Sequence, residues 1–280
     1  MACSPCPSSG FRLEAGKAFI MQQVSGELEI AISDGVQTIR ITRTGKKNAL
    51  TTPMYQAMLA ALEEADRSDT IAATIITGSG GVFTAGNDIN DFLQGVGAGE
   101  ERHDRPVHRF VQYLPRVETP LIAAVDGLAI GIGTTLLFHC DLVYATPAAR
   151  FSTPFLDLGL VPEAASSLLA PRRMGNARAF ELLALGEVFD AERAREAGIV
   201  NQIVPSEELE AAARQAAARL AAKPPAALKI ARRLLRGDPQ EIVDRLDAEA
   251  RLFSERLRSP EALEAFEAFL EKRPANFKRG

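Results

Sequence analysis

Pro120-Leu121-Ile122-Ala123-Ala124-Val125-Asp126-Gly127, with Gly131-Ile132-Gly133 close behind, is the stretch on which the fold class turns. Five apolar residues between a proline and an Asp-Gly turn read as a buried strand. The glycines beyond mark a turn at the start of the next element. The same rhythm recurs upstream, where the apolar residues 71–77 end in Gly78-Ser79-Gly80-Gly81. Downstream, residues 141–145 and the neighbourhood of Phe151 read as further short strands. Strand, glycine turn and helix in repetition predict an α/β fold whose active face lies where the strands end.

Working toward the N-terminus, Thr51-Thr52-Pro53 opens a helix, and Met54, Ala57, Met58, Ala61, Leu62 and Ala65 form one apolar stripe along it. Before it, Leu28, Ile30 and Ile32 alternate, Asp34-Gly35 turns the chain, and Ile39 and Ile41 alternate again, the pattern of a hairpin. Residues 1–25 carry no periodicity and are expected to be a disordered extension. His103 and His108 belong to a polar loop and its far edge. Toward the C-terminus the character becomes helical, with helices expected over 177–185, 190–198, 206–223, 239–257 and 260–271. The prolines Pro224-Pro225 are expected to stop the third of these. The chain therefore divides into an extension (1–25), an α/β core (26–205) and a helical region (206–280) expected to serve as lid or oligomer interface.

Composition narrows the function. With 32 Lys+Arg against 36 Asp+Glu, the net charge of −4 offers no basic footprint, so no nucleic-acid partner is expected. Three His and three Cys are too few and too scattered for a multi-ligand metal site, and the Cys3/Cys6 pair has no second pair to join. The apolar run 127–140 falls short of the about 20 residues that span a bilayer. No membrane association is expected, and the cytoplasm is the simplest location.

The glycine turns hold the chemistry. Neither a GxGxxG fingerprint nor a GxxxxGK loop occurs, which argues against nucleotide binding. Ala85-Gly86-Asn87-Asp88 and Gly131-Ile132-Gly133 suit another use, an oxyanion hole in which two backbone amides converge on one carbonyl oxygen. Tight packing alone would select the same glycines, and pattern leaves both uses open.

Taken in order, Lys46-Lys47-Asn48-Ala49-Leu50, Gly81-Val82-Phe83-Thr84-Ala85-Gly86-Asn87-Asp88-Ile89, the Pro120 to Gly127 stretch, Cys140-Asp141-Leu142-Val143-Tyr144-Ala145, Ala194-Arg195-Glu196-Ala197-Gly198-Ile199-Val200 and Pro224-Pro225-Ala226-Ala227-Leu228 make the chain resemble the enoyl-CoA hydratase/isomerase (crotonase) superfamily. The resemblance implies a spiral of ββα turns assembled as a homotrimer or a dimer of trimers. It implies a coenzyme A thioester as substrate, with no separate cofactor and no metal. The thioester oxygen would be held by the Asn87 and Ile132 N–H groups, Ile132 standing where a glycine is common. Lys47, Asn48, Ala49, Leu50, Ala85 and Asp88 would meet the coenzyme, with Lys46 or Lys47 near phosphate. Phe92, Leu93 and Phe155 are candidates for the acyl pocket.

Within that family a hydratase uses two glutamates, and their positions here hold Thr135 and Phe155. Neither side chain can deprotonate water. A carboxylate does occur in Val161-Pro162-Glu163-Ala164-Ala165, among apolar neighbours that raise a carboxyl pKa toward a value useful in proton transfer. A glutamate favoured by a helix start reads equally well from the local sequence. The Pro162-Glu163 placement resembles the Δ3,Δ2-enoyl-CoA isomerase branch, in which one glutamate acts alone. Asp88 and Asp141 are expected to cap a helix and to make structural hydrogen bonds. The alternatives are hydration or another reaction of the family and, in a different class, a non-catalytic acyl-CoA-binding or scaffold protein.

Overall fold

A computed structural model describes residues 20–24, 26–89 and 105–277. The chain opens with β1 (Ile20–Val24), β2 (Leu28–Ser33) and β3 (Val36–Ile41), then α1 (Thr52–Arg67) and β4 (Ala73–Gly78). After α2 (Pro106–Tyr113) come β5 (Leu121–Val125), β6 (Leu128–Ile130), the single turn α3 (Ile132–Thr135), β7 (Leu142–Ala145) and β8 (Arg150–Ser152). Next are α4 (Ser166–Met174), α5 (Asn176–Leu183), β9 (Phe189–Asp190), α6 (Ala191–Glu196) and β10 (Gln202–Ile203). The remainder is α7 (Leu209–Ala221), α8 (Pro225–Arg236), α9 (Pro239–Arg256) and α10 (Pro260–Glu271).

One sheet runs β1-β2-β3-β4-β5-β7-β10 and a second runs β6-β8-β9. The hairpin at the start is antiparallel, whereas β3, β4, β5, β7 and β10 lie parallel. Each circuit lays one strand in the large sheet, turns a corner and lays the next in the small one, as in β5 to β6 and β7 to β8. Gly127 makes the first of these corners at φ 61°, and a Cβ there would come within 2.0 Å of the Gly81 carbonyl oxygen. Only glycine fits.

Parallel strands covered on both faces require continuous apolar runs, which explains residues 121–125. Ile30, Ile39, Ile76, Ala123 and Val143 stand in register across five strands and join one core with Met54 and Met58 of α1. On the other face, Ile75, Ile122 and Ala124 pack against Ala213, Ala216 and Ala217 of α7.

Three expectations change. The extension read over residues 1–25 gives way at its end to β1, because Ile20–Val24 finds the free edge of β2; Cys3, Cys6 and the rest of 1–19 lie outside the described residues. A helix that was not expected, α8, follows the Pro224-Pro225 stop of the preceding helix, because Pro225 occupies its first turn, where a missing N–H costs nothing. Helix α2 also arises where the sequence suggested none, whereas α4 follows the helix start that the sequence offered at Glu163.

Helix α8 is tied to the core by charge. Asp141 accepts the Leu121 N–H at 2.7 Å, Arg232 Nε at 2.8 Å and Arg236 Nε at 3.1 Å. Arg236 also donates to the Leu114 carbonyl at 3.3 Å and to that of His139. The structural role expected of Asp141 is thus the one it fills. Replacing it strands two largely buried guanidinium groups, and Asp141→Ala is expected to lower unfolding free energy by about 3 kcal/mol, measured by urea denaturation.

Candidate active site

The site begins with how residues 84–88 are hydrogen-bonded. Thr84 donates its N–H to Leu128 and accepts from Ile130, so this segment runs beside β6. Two residues on, the chain pairs on its opposite side with Leu50, whose N–H reaches the Gly86 carbonyl at 2.8 Å and whose own carbonyl accepts from Asp88 at 2.8 Å. Leu50 thereby bonds the residues flanking Asn87, and the Asn87 N–H faces away from it with no protein acceptor among the described residues. The Asn87 side chain is turned aside as well, its Oδ1 accepting from the Tyr55 hydroxyl at 2.5 Å. Gly86 lets the two backbones approach; at φ 90°, a Cβ there would lie 2.9 Å from the Ile130 carbonyl oxygen.

The second amide comes from the start of α3. Gly131 donates to the Ser152 carbonyl at 2.9 Å and accepts from Thr134 and Thr135. Ile132 is the first residue of the helix, so its N–H has no intrahelical acceptor, and the residue is otherwise sunk in the core. Asn87 and Ile132 line one cavity of about 370 Å³, together with Ala85, Phe155 and Glu163. Helix α10 closes that cavity with Phe266 and Phe269.

Glu163 stands where this cavity meets a smaller one of about 80 Å³ lying against α2 and α9. Thr135 Oγ1 donates to Glu163 Oε1 at 2.8 Å. Burial pushes the carboxyl up to about 7, the Thr135 hydrogen bond draws it down, and the nearby charge of Glu249 pushes it up again. A carboxyl titrating there accepts and returns protons readily near neutrality. Asp157 also borders the larger cavity, but on its exposed rim.

The other expected site residues divide. Lys46 and Lys47 are exposed and Ala49 is half-buried beside them. Asn48 is fully buried, and its Nδ2 donates to the Ser79 and Val82 carbonyls at 2.9 and 2.6 Å. Its side chain thereby ties the loop at residue 48 to the turn over residues 79–82. Leu50 is likewise buried, and its contribution is the backbone bridge to residues 86–88. Asp88 stands directly before Ile89, which is helical, and its carboxylate pairs with Arg43 at 2.7 Å. Arg43 also reaches Glu27 and the Ala49 carbonyl, a loop-fastening role that no sequence signal announced. His108 borders the smaller cavity. Phe92, Leu93 and His103 lie outside the described residues.

The family model of enoyl-CoA hydratase/isomerase matches residues 31–280. Enoyl-CoA delta isomerase 2 of Rattus norvegicus is 34% identical over 256 residues, which cover 90% of this chain and 65% of that protein, so the chain spans about two thirds of that relative. The 1,2-epoxyphenylacetyl-CoA isomerase of Escherichia coli (strain K12) is also 34% identical, over 254 residues covering 88% of this chain and 96% of that protein. A crystal structure of an enoyl-CoA hydratase/isomerase from Pseudoalteromonas atlantica T6c superposes with a TM-score of 0.85 at 39% identity, covering 90% of this chain and all of that one.

The raised carboxyl makes two measurements sensitive to it. Thr135→Val removes the hydroxyl that favours the ionised form, so the Glu163 midpoint is expected to rise above about 7, read by ¹³C NMR titration of labelled glutamate. A folded pKa above the unfolded value of 4.5 stabilises below that value and loses this contribution as pH rises through about 7. Glu163→Gln is therefore expected to raise Tm at pH 8 by roughly 2–4 °C and to leave it unchanged at pH 4.

Proposed function

The chain belongs to the enoyl-CoA hydratase/isomerase family, and from that premise we propose that it shifts the double bond of a 3-enoyl-CoA thioester to give the trans-2-enoyl-CoA. The thioester oxygen sits between the Asn87 and Ile132 amides. Glu163 takes a proton from C2, and the electron pair moves onto that oxygen as an enolate stabilised by the two donors. The resulting carboxylic acid returns the proton to C4 while the double bond moves into conjugation. One base completes the exchange, and the proton transfer calls for no cofactor beyond the thioester itself.

One observation carries this reading. Glu163 shares a cavity wall with both amide donors, while the two positions expected to hold a hydratase's glutamates are Thr135 and Phe155, and Thr135 hydrogen-bonds Glu163. Identity does not choose the reaction, since relatives of equal identity bear the names of different isomerases. Hydration of a 2-enoyl thioester, which the family also covers, needs a second group to activate water, and those two side chains supply none. Lys47 and Ala49, beside Ala85, are the exposed or half-exposed parts of the loop assigned to the coenzyme. Assembly as a homotrimer or dimer of trimers belongs to the same reading, supported by the exposed apolar residues Ile230, Leu234 and Leu235 of α8. A cytoplasmic location fits a chain in which no helix among the described residues is long and apolar enough to cross a membrane.

Incubation with 3-hexenoyl-CoA is expected to raise the absorbance of the conjugated thioester. Its kcat/KM should increase with pH through about 7, as Glu163 ionises. Glu163→Gln should lower turnover by roughly 10²–10⁴-fold while acyl-CoA binding, measured by calorimetry, is retained. A fully active Glu163→Gln protein would sink the proposal. Loss of 2-hexenoyl-CoA absorbance would indicate hydration instead, and binding without turnover a non-catalytic acyl-CoA-binding protein.

A further inference from the structure

The turn that presents Glu163 is held in an unfavourable conformation. Ala164 and Ala165 follow the glutamate with φ of 58° and 56°. A left-handed conformation costs a residue bearing a Cβ about 1–2 kcal/mol, and here two occur in succession without glycine. Such a pair persists only where surrounding groups determine it. Helix α4 begins directly after the turn, and its own N-cap residue, Ala165, has no side-chain oxygen to offer.

The missing cap arrives from a distant helix. Glu249 on α9 accepts the Ala165 N–H through Oε2 at 2.7 Å and the Ser167 N–H through Oε1 at 2.9 Å. Glu249 is only 5% exposed, yet both its oxygens are committed to this one turn. From the other side, His139 Nε2 donates to the Ala164 carbonyl at 2.8 Å; burial and the neighbouring Arg236 and Arg173 keep that imidazole neutral. We propose that Glu249 is a positioning residue for Glu163: by capping the Ala164-Ala165 turn it aims the catalytic carboxylate into the cavity, and α9 thereby becomes part of the active site. This inference rests on the reading of Glu163 as the proton-transferring base.

Glu249 also acts through its charge. Thr135 faces Glu163 from α3 and favours its ionised form, whereas the negative charge of Glu249 opposes it. On the remaining sides, Arg105, just before α2, and His108 of α2 border the smaller cavity with Glu163, and Arg245 of α9 lies close to Glu249. Burial disfavours the Glu249 charge itself, and its bonds to Ser167 and Ala165 recover part of that penalty. Geometry and charge can therefore be separated by choice of substitution. Glu249→Gln removes the charge and turns an amide NH₂ toward one of the N–H groups. Glu249→Asp keeps the charge and withdraws it by one methylene.

The test follows the Glu163 midpoint by NMR of ¹³C-labelled glutamate, assigned with Glu163→Gln, alongside kcat and KM on 3-hexenoyl-CoA. Glu249→Gln is expected to lower the midpoint by roughly half a pH unit or more. Glu249→Asp should leave the midpoint in place but reduce kcat about tenfold, with KM nearly unchanged. Adding Ala165→Gly to Glu249→Asp should restore part of kcat, because glycine holds the left-handed turn without strain. Unchanged midpoints, unchanged kcat and no rescue in folded variants would reduce Glu249 to an ordinary buried group and overturn the proposal. Because the NMR titration uses no substrate, it judges Glu249 even if the wild-type protein fails to isomerise 3-hexenoyl-CoA, a result that would count against the functional reading alone.

Discussion

An extended backbone offers its N–H groups to alternate sides, and the site depends on how residues 84–88 use that alternation. Thr84 bonds to β6 on one side, and Gly86 and Asp88 bond to Leu50 on the other. Asn87 is left between two paired residues with its amide free to meet a ligand. Had the register slipped by one residue, that amide would have been consumed by a strand partner. The glycine at position 86 is needed because the segment passes so close to Ile130 that a side chain would strike its carbonyl. Two unpaired amides thus meet at one cavity, one from a strand pairing left incomplete and one from the first residue of a helix.

The carboxylate is set against the same background. A buried acid disfavours its own charge, and the hydroxyl of Thr135 offsets part of the effect at Glu163. The outcome is a group near its midpoint at neutral pH, suited to taking and returning a proton but costly to hold in a folded protein. The strained alanines beside it add to that cost. The groups that absorb it, His139, Glu249 and Thr135, come from three separate elements, which is why the site needs the complete fold around it.

Much of this architecture was legible in the residues. The hairpin over β2 and β3, helix α1 and the strands β4 and β5 follow from alternation, helical spacing and short apolar runs, because their burial is regular and local. Glu163, Asn87 and Ile132, singled out by motifs that resemble a known family, line one cavity. Helix α8 was not legible, since Pro224-Pro225 reads as a stop until the first turn is seen to accept proline. The side chains of Asn48 and Asp88 fasten loops, through the Ser79 and Val82 carbonyls and through Arg43, a use of polar residues that no linear pattern separates from ligand contact. Thr135 was noticed for the carboxylate it lacks, whereas its hydroxyl contacts Glu163 across 28 positions of chain.

By itself, the sequence determined the layered α/β class, the glycine turns and the residue types able to stabilise an enolate and move a proton, because these follow from local periodicity, backbone freedom and side-chain chemistry. The tertiary structure alone decided which amides remain unpaired, how far Glu163 is desolvated and that Glu249, 84 residues beyond the Ala165 amide it accepts, caps the turn that follows Glu163. Hydrogen-bond vacancy, burial and long-range capping depend on what lies across the fold, and adjacency in the chain carries no record of them.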